Sequence, residues 1–306
     1  MKIKFWGVRG SIPCPGPDTV RYGGNTPCIE MRFSDNNHII IIDSGSGIRE
    51  LGNHIMESEL NKGPIRADIL ITHTHWDHIL GFPFFTPIYL KDTTLRVYGP
   101  VTHERETLSE IVGGQLAYRY FPVRHVELQS QIDYTSLKEG PVPLGYDRLN
   151  VTAKYLNHPV LCFGYRVEYN GKVFCTTYDT EPFQNVFTTD PEDPSYDETM
   201  AVEGEKAANE ANKSMEAFVE GADLLVTDAQ YTGDDYGSSK KGWGHSSMED
   251  AISFARRAHV KRLALFHFDP GYTDDMLDRC AEKLFNKEIS GDMAVFFARE
   301  GMEIAL

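Results

Sequence analysis

Six consecutive residues hold the densest chemistry in this 306-residue chain. His73-Thr74-His75-Trp76-Asp77-His78 places three imidazoles and a carboxylate side by side. In extended chain, His73 and His75 project to the same side. If the chain then turns, Asp77 and His78 face a second point close by. Imidazole and carboxylate are the donors expected around Zn²⁺, Mn²⁺ or Fe²⁺. Six residues cannot close two metal sites, so other donors must come from elsewhere. The candidates are His158 in Leu156-Asn157-His158-Pro159, Asp179 in Tyr178-Asp179-Thr180, and His267 in Leu265-Phe266-His267-Phe268. Each stands at or just past the end of an expected strand.

The elements that must position these donors can be read in outline. Strands are expected at Ile3 to Val8, Cys28 to Phe33 and His38 to Ile42. A Gly/Pro-rich loop runs from Arg9 to Gly24, and Asp43-Ser44-Gly45-Ser46-Gly47 closes the third strand. Ile48 to Leu60 reads as a helix, Asp68 to Thr72 as a short buried strand entering the His-rich run, and Leu95 to Tyr98 as another strand. This is not a strict βαβ alternation, which argues against a doubly wound parallel sheet. Glu104 to Leu116 has helical spacing, and Tyr118 to Val123 is aromatic and apolar. Leu149 to Tyr155, Cys162 to Tyr169 and Val173 to Thr177 read as paired strands, with Asn170-Gly171 a hairpin turn between the last two. Glu203 to Glu220 should be a helix with Ala208, Ala211, Met215, Phe218 and Val219 on one face. Asp223 to Thr227 is a strand. Ser246 to His259 is a helix opened by a Ser246/Glu249 capping box, and Lys261 to Phe266 is a strand ending at His267.

Taken in order, Asp43 in its Asp-x-Gly-x-Gly turn, His73-x-His75-x-Asp77-His78, His158, Asp179 and His267 resemble the metallo-β-lactamase-fold hydrolases, over nearly the whole chain. The resemblance implies an α/β fold, a four-layer αββα sandwich with the site at the shared edge of two sheets. It implies one domain over 1–306 with an acidic, partly helical insertion at about 182–222. By the same resemblance His73, His75 and His158 hold one metal, Asp77, His78 and His267 the second, and Asp179 bridges them. The ions would be zinc first, with manganese or iron as alternatives. Two divalent cations about 3.5–4 Å apart can share a hydroxide at neutral pH and clamp both sides of an in-line displacement. Asp43 is read as orienting a ligand imidazole.

Within that superfamily, His245 in Gly242-Trp243-Gly244-His245 precedes a helix and a strand ending at His267, an arrangement similar to ribonuclease Z and its small-molecule phosphodiesterase relatives. There the extra histidine is paired with an acid on an earlier strand, and Asp228 stands here where the family usually has Glu. The resemblance makes Asp228 the residue that orients and charges His245, and His245 the proton donor to the leaving oxygen or the stabiliser of the phosphorane-like charge. Only 21 positions separate His158 from Asp179. Short-type ribonuclease Z enzymes insert a tRNA-gripping arm there, and this chain has no room for one. His75 stands where oxygen-reducing relatives usually carry Glu, which disfavours redox chemistry. A small or cyclic nucleotide phosphodiester is therefore the expected substrate. A thioesterase or lactonase of the same fold, or a metal-containing binding protein without catalysis, are the alternatives. Arg9, Arg21 and Asn25 of the Gly-rich segments, and Arg119 or Arg124, are candidates for phosphate contact. Trp76, Phe82, Phe84, Phe85 and the Tyr118–Phe121 run could wall a pocket and stack a base.

Charge sharpens the partner expectation. The chain has 30 Lys+Arg against 45 Asp+Glu, a net charge of −15. Glu181 to Tyr236 alone holds 15 acids and 2 bases, while the rest is nearly balanced. A long polyanionic nucleic acid is disfavoured because phosphate binding needs clustered cations. The insertion is expected to be a solvated cap or a homodimer contact. Five cysteines without a CxxC point to buried thiols, not disulfides. No run of about 18 apolar residues exists, so no membrane span is expected. No signal peptide is read at Met1 to Arg9, and a cytoplasmic location follows as the expectation.

Overall fold

Four consecutive isoleucines, Ile39–Ile42, are all buried, which a strand achieves only when both its faces are covered. The computed structural model describes residues 1–34, 38–101, 106–237 and 239–306. In it Ile40 and Ile42 join the core between two sheets, with Phe5, Met31, Tyr165 and Phe266. Ile39 and Ile41 point the other way, into a layer with Leu51, Ile55 and Val97. Period-two alternation thus splits one strand between two apolar layers.

The first sheet takes β1 (Lys2–Gly7), β2 (Cys28–Arg32), β3 (Ile39–Ile42), β4 (Ile65–Leu70), β5 (Thr93–Pro100) and β6 (Gln131–Leu137). The second takes β7 (Gly140–Pro141), β8 (Leu149–Tyr155), β9 (Phe163–Tyr169), β10 (Lys172–Thr177), β11 (Leu224–Asp228), β12 (Arg262–Phe266) and β13 (Ala294–Phe297). Finally β14 (Glu303–Ala305) returns to pair with β1. Strands β3 to β6 are parallel, as are β10 to β13. The remaining pairs are antiparallel. Parallel strands deliver their carboxyl ends to one edge, so the loops after β3, β4, β10, β11 and β12 can converge.

Helices α1 (Ile48–Glu59), α2 (Trp76–Ile79) and α3 (Leu108–Val112) contribute Leu51, Ile79 and Leu108 to the layer outside the first sheet. Outside the second lie α4 (Glu198–Val219), α5 (Gly233–Tyr236), α6 (Met248–Arg257), α7 (Asp274–Leu284) and α8 (Lys287–Ser290). Ala251 and Ile252 of α6 and Leu277 of α7 complete that packing. The result is the four-layer αββα sandwich of the metallo-β-lactamase fold. Among the described residues no helix is long and apolar enough to cross a membrane. All five cysteines are free thiols.

Several sequence expectations shift. Asn170 and Gly171 both take positive φ, 50° and 73°, as a two-residue hairpin turn requires. The acidic helix begins at Glu198, not Glu203, because the Asp197 side chain accepts from Met200 N and caps it there. The cap of α6 is Ser247 with Asp250, not Ser246 with Glu249. Ser246 is engaged elsewhere, its hydroxyl donating to Thr180 O. The helical spacing at Glu104 to Leu116 yields only α3 and a 3-10 turn at Gly113–Gln115, and Glu104 itself lies outside the described residues. Strand β6 and everything after His267 were not read from the sequence.

Candidate metal centre and acid–base pair

Strand β4 is buried from Ala67 to Leu70, and His75, in extended conformation, stands at the start of α2. His73 and His75 therefore lie between β4 and the helix, while Asp77 and His78 lie on its turn. The other donors arrive from the same edge: His158 after β8, Asp179 after β10 and His267 directly after β12. One donor atom each from His73, His75, His158 and Asp179 lie within 4.8 Å of one another. The same holds for Asp77, His78, Asp179 and His267, so Asp179 belongs to both groups. All seven sequence candidates are brought together.

Neighbouring donors lie 3.1 to 4.0 Å apart, the longest pair being His158 Nε2 and Asp179 Oδ2. His75 Nδ1 lies 3.1 Å from His158 Nε2, and His73 Nε2 lies 3.4 Å from Asp179 Oδ2. In the second group His78 Nε2 stands 3.3 Å from oxygens of both Asp77 and Asp179. His267 Nε2 stands 3.1 and 3.2 Å from the same two carboxylates. Donors held at about 2.1 Å around a tetrahedral cation sit about 3.4 Å apart, so this spacing suits a metal. Two further observations agree. His73 Nε2 and Asp179 Oδ1 are buried without a hydrogen-bond partner, an arrangement that costs free energy unless something else engages them. Asp77 and Asp179 are buried, yet no lysine or arginine pairs with either among the described residues. The fold implies divalent metal use, and these residues fit it.

The outer nitrogens of three imidazoles are fixed by acceptors, which leaves the inner ones free for a cation. His78 Nδ1 donates to Asp43 Oδ2 at 2.7 Å, His158 Nδ1 to Gly244 O at 2.9 Å, and His267 Nδ1 to Gln230 Oε1 at 3.1 Å. Asp43 also accepts from Thr72 N and Thr72 Oγ1 at 2.7 and 2.8 Å. Asp43 and His267 both adopt left-handed backbone, φ 61° and 64°, which costs about 1–2 kcal/mol each for residues with a Cβ. The rest of the fold holds these two conformations where each orients or supplies a candidate donor. Burial pushes the His158 imidazolium down to about 4, so the ring is neutral and able to ligate at pH 7. Burial would raise the Asp179 carboxyl, but His267, His78 and His73 outweigh it and hold it well below the usual range.

Beside this cluster, His245 Nδ1 donates to Asp228 Oδ2 at 2.7 Å. The shorter Asp side chain makes the contact because Asp228 is fully buried at the end of β11 and locked by the amides of Gln230 and Ser246. The His245 ring stacks on that of His267 at 5.1 Å and 16°, and meets that of His158 edge-on at 5.5 Å. Burial would lower its pKa, but the Asp228 carboxylate overcomes this and lifts it to about 9. With that carboxylate beside it, the imidazole favours its protonated form. Asp179, Asp228, His245 and His267 also meet the geometric condition for a metal group.

Of the proposed phosphate contacts, Arg9, Arg21, Asn25 and Arg124 are engaged by the protein itself. Arg9 is fully buried, with Nε donating to Gly23 O and Nη1 to Tyr272 O. Arg21 pairs with Asp275 and Asp278, Asn25 with Glu300, and Arg124 with Glu127. The loop acts differently: Ser11 N donates to Asp77 Oδ2 at 2.7 Å and fixes that carboxylate. Phe82 and Phe85 are core, whereas Trp76, Phe84, Tyr118 and Tyr120 are exposed. Sequence reading missed Gln230 and Gly244. Gln230 lies two positions after Asp228 at a strand end, so both project to one side, which is a usable signal. Gly244 has φ 82°, and a Cβ there would fall 2.2 Å from His158 Nδ1, so only glycine lets the loop press on that imidazole.

No family model matches the chain. A ribonuclease Z from Shouchella clausii (strain KSM-K16) is 28% identical over 336 aligned residues, covering 97% of this chain and 96% of that one. The metallo-β-lactamase-fold protein YhfI of Bacillus subtilis superposes with a TM-score of 0.65 at 19% identity, covering 99% of this chain and 98% of that one. A diphosphatase from the PhnP family superposes with a TM-score of 0.62 at 16% identity, covering 100% and 97%.

Proposed function

We propose that this chain, a metallo-β-lactamase-fold hydrolase of the ribonuclease Z and phosphodiesterase branch, is a dinuclear metal phosphodiesterase for small phosphodiesters, cyclic nucleotides foremost. The observation that carries this reading is the His245 imidazole, stacked on His267 at the rim of the donor cluster and locked by buried Asp228. His73, His75 and His158 would hold one divalent cation and Asp77, His78 and His267 the other, with Asp179 shared. Bound there, zinc, manganese or iron would supply Lewis-acid polarisation of the diester and a nucleophile at neutral pH.

The chain's own residues do the rest. Asp228 keeps Nδ1 of His245 protonated and its ring aimed at the cluster, so Nε2 can donate its proton to the departing alkoxide. Asp43 and Gln230 fix the His78 and His267 rings, and the Ser11 amide fixes Asp77. A small substrate is supported by the segment between His158 and Asp179, which β9, β10 and their two-residue turn fill. No residues there remain for a substrate-gripping arm. We read the chain as one domain whose 182–222 insertion is a solvated cap. Cleavage of RNA is the second reading, favoured by the name of the 28% identical relative.

The test is a substrate panel on metal-loaded protein: bis(p-nitrophenyl) phosphate, cyclic nucleotides, a tRNA precursor with a 3′ trailer, a thioester and a lactone. Turnover of the small diesters supports the proposal. Preference for the tRNA precursor favours the second reading. Turnover of thioester or lactone alone, with two metals bound, overturns both.

A further inference from the structure

The chain has three tryptophans, and two of them are exposed. Trp6 is half-buried, with Nε1 donating to Glu30. Trp76 is 80% exposed and Trp243 54%. Trp76 follows His75, whose Nδ1 faces Nε2 of His158. Trp243 precedes Gly244, whose carbonyl accepts from Nδ1 of the same His158. The two indoles therefore adjoin residues that touch opposite nitrogens of one candidate ligand. A single exposed aromatic needs no explanation, but two that each stand next in sequence to a contact of the same His158 do.

A cation accompanies them. Lys240 Nζ lies 4.1 Å from the Trp243 ring centre and 5.2 Å from that of Tyr231. The Tyr231 ring is in turn 6.3 Å from that of His245. Among the described residues no carboxylate pairs with Lys240, although the preceding segment holds 15 acids and 2 bases. Positive charge thus returns five residues before His245, where an anion would arrive. The loop is braced from beneath, since Glu181 Oε2 accepts from Gly242 N at 3.0 Å and from Tyr236 Oη at 3.1 Å.

We propose that Trp76 and Trp243 wall a nucleobase subsite at the mouth of the centre, with Lys240 adding the positive charge that draws in the nucleotide's phosphate. This rests on the phosphodiesterase reading and deepens it. A metal centre grips the phosphoryl group of any diester alike, so a planar ring against an indole face is what separates a nucleotide from other diesters. Such stacking is sequence-tolerant, so all four bases are accepted with modest preferences.

The test compares two substrates with the same five-membered cyclic diester, 2′,3′-cyclic AMP and glycerol 1,2-cyclic phosphate. The readout is the ratio of their kcat/KM values in the wild type, Trp243→Ala, Trp243→Phe and Trp76→Ala. The ratio is expected to favour the nucleotide in the wild type, to fall about ten-fold in each alanine variant, and to recover in Trp243→Phe. Calorimetric binding of adenosine 3′-monophosphate against glycerol phosphate, read without turnover, should lose the same selectivity. A ratio that does not move in the alanine variants overturns the subsite, whatever happens to either rate alone. If bis(p-nitrophenyl) phosphate is still cleaved, the phosphodiesterase reading stands. If no diester is cleaved, both fall.

Discussion

The two walls of the site are built in opposite ways. One is the donor cluster, carried by short segments directly at the ends of β4, β8, β10 and β12 and mostly buried. Its donors are fixed by their neighbours, with Asp43, Gln230, Ser11 and Gly244 each holding one. The other is the segment from Lys240 to His245, which lies on a loop, exposes Trp243 and is tied down through Asp228 and Glu181. Charged groups that must converge on a cation can be held only where the backbone has no freedom, and strand ends provide that. Groups that meet substrate can sit on a loop, provided a buried anchor sets the one atom that must be exact in position. The first wall should govern metal content, and the second should govern rate and substrate choice.

Four perturbations sharpen that division. The largest effect is expected from Asp179→Ala, which removes the carboxylate common to both donor groups. Metal analysis should show both ions lost or weakened, and turnover should vanish. His245→Ala should keep the metals and lose about 10²–10⁴-fold in kcat, the usual scale for a general acid. Because Asp228 raises the His245 pKa, wild-type activity should persist through neutral pH and fall as pH rises through an alkaline limb. The residual activity of the variant should lack that limb. Asp43→Asn leaves an acceptor for His78 but removes the charge, and should weaken metal binding about 10–100-fold in chelator competition. Glu181→Ala should lower kcat by about ten-fold or less in the wild type, and not at all in the His245→Ala background, if it acts only by bracing that loop. Equal losses in both backgrounds would mean that Glu181 acts on something else.

The donor wall was legible because it is local. Three imidazoles and a carboxylate within six residues announce themselves, and the remaining donors fall at strand ends that hydrophobic runs reveal. The groups that orient them were harder to see. Ser11 reaches Asp77 across 66 positions and Gly244 reaches His158 across 86, and neither has a local pattern. Arg9 looked available for phosphate because nothing in a Gly-rich loop signals that its guanidinium will be enclosed by residues some 260 positions away. The fold divided the same way. Central strands such as β3 are uniformly apolar and easily read, whereas β6 is an edge strand with mixed, largely exposed residues and no hydrophobic run. Two adjacent serines followed by two acids left the α6 cap ambiguous, and tertiary contacts resolved it by committing Ser246 to Thr180 and Asp228.

The central claim is that the metals belong to one wall and proton transfer to the other. The most direct test is the number of divalent ions per chain in His245→Ala compared with the wild type, measured by elemental mass spectrometry on protein loaded under identical conditions. The account predicts two ions in both proteins, with turnover impaired only in the variant. An ion lost from the variant would make His245 a ligand alongside Asp179, Asp228 and His267, and would contradict the division of labour.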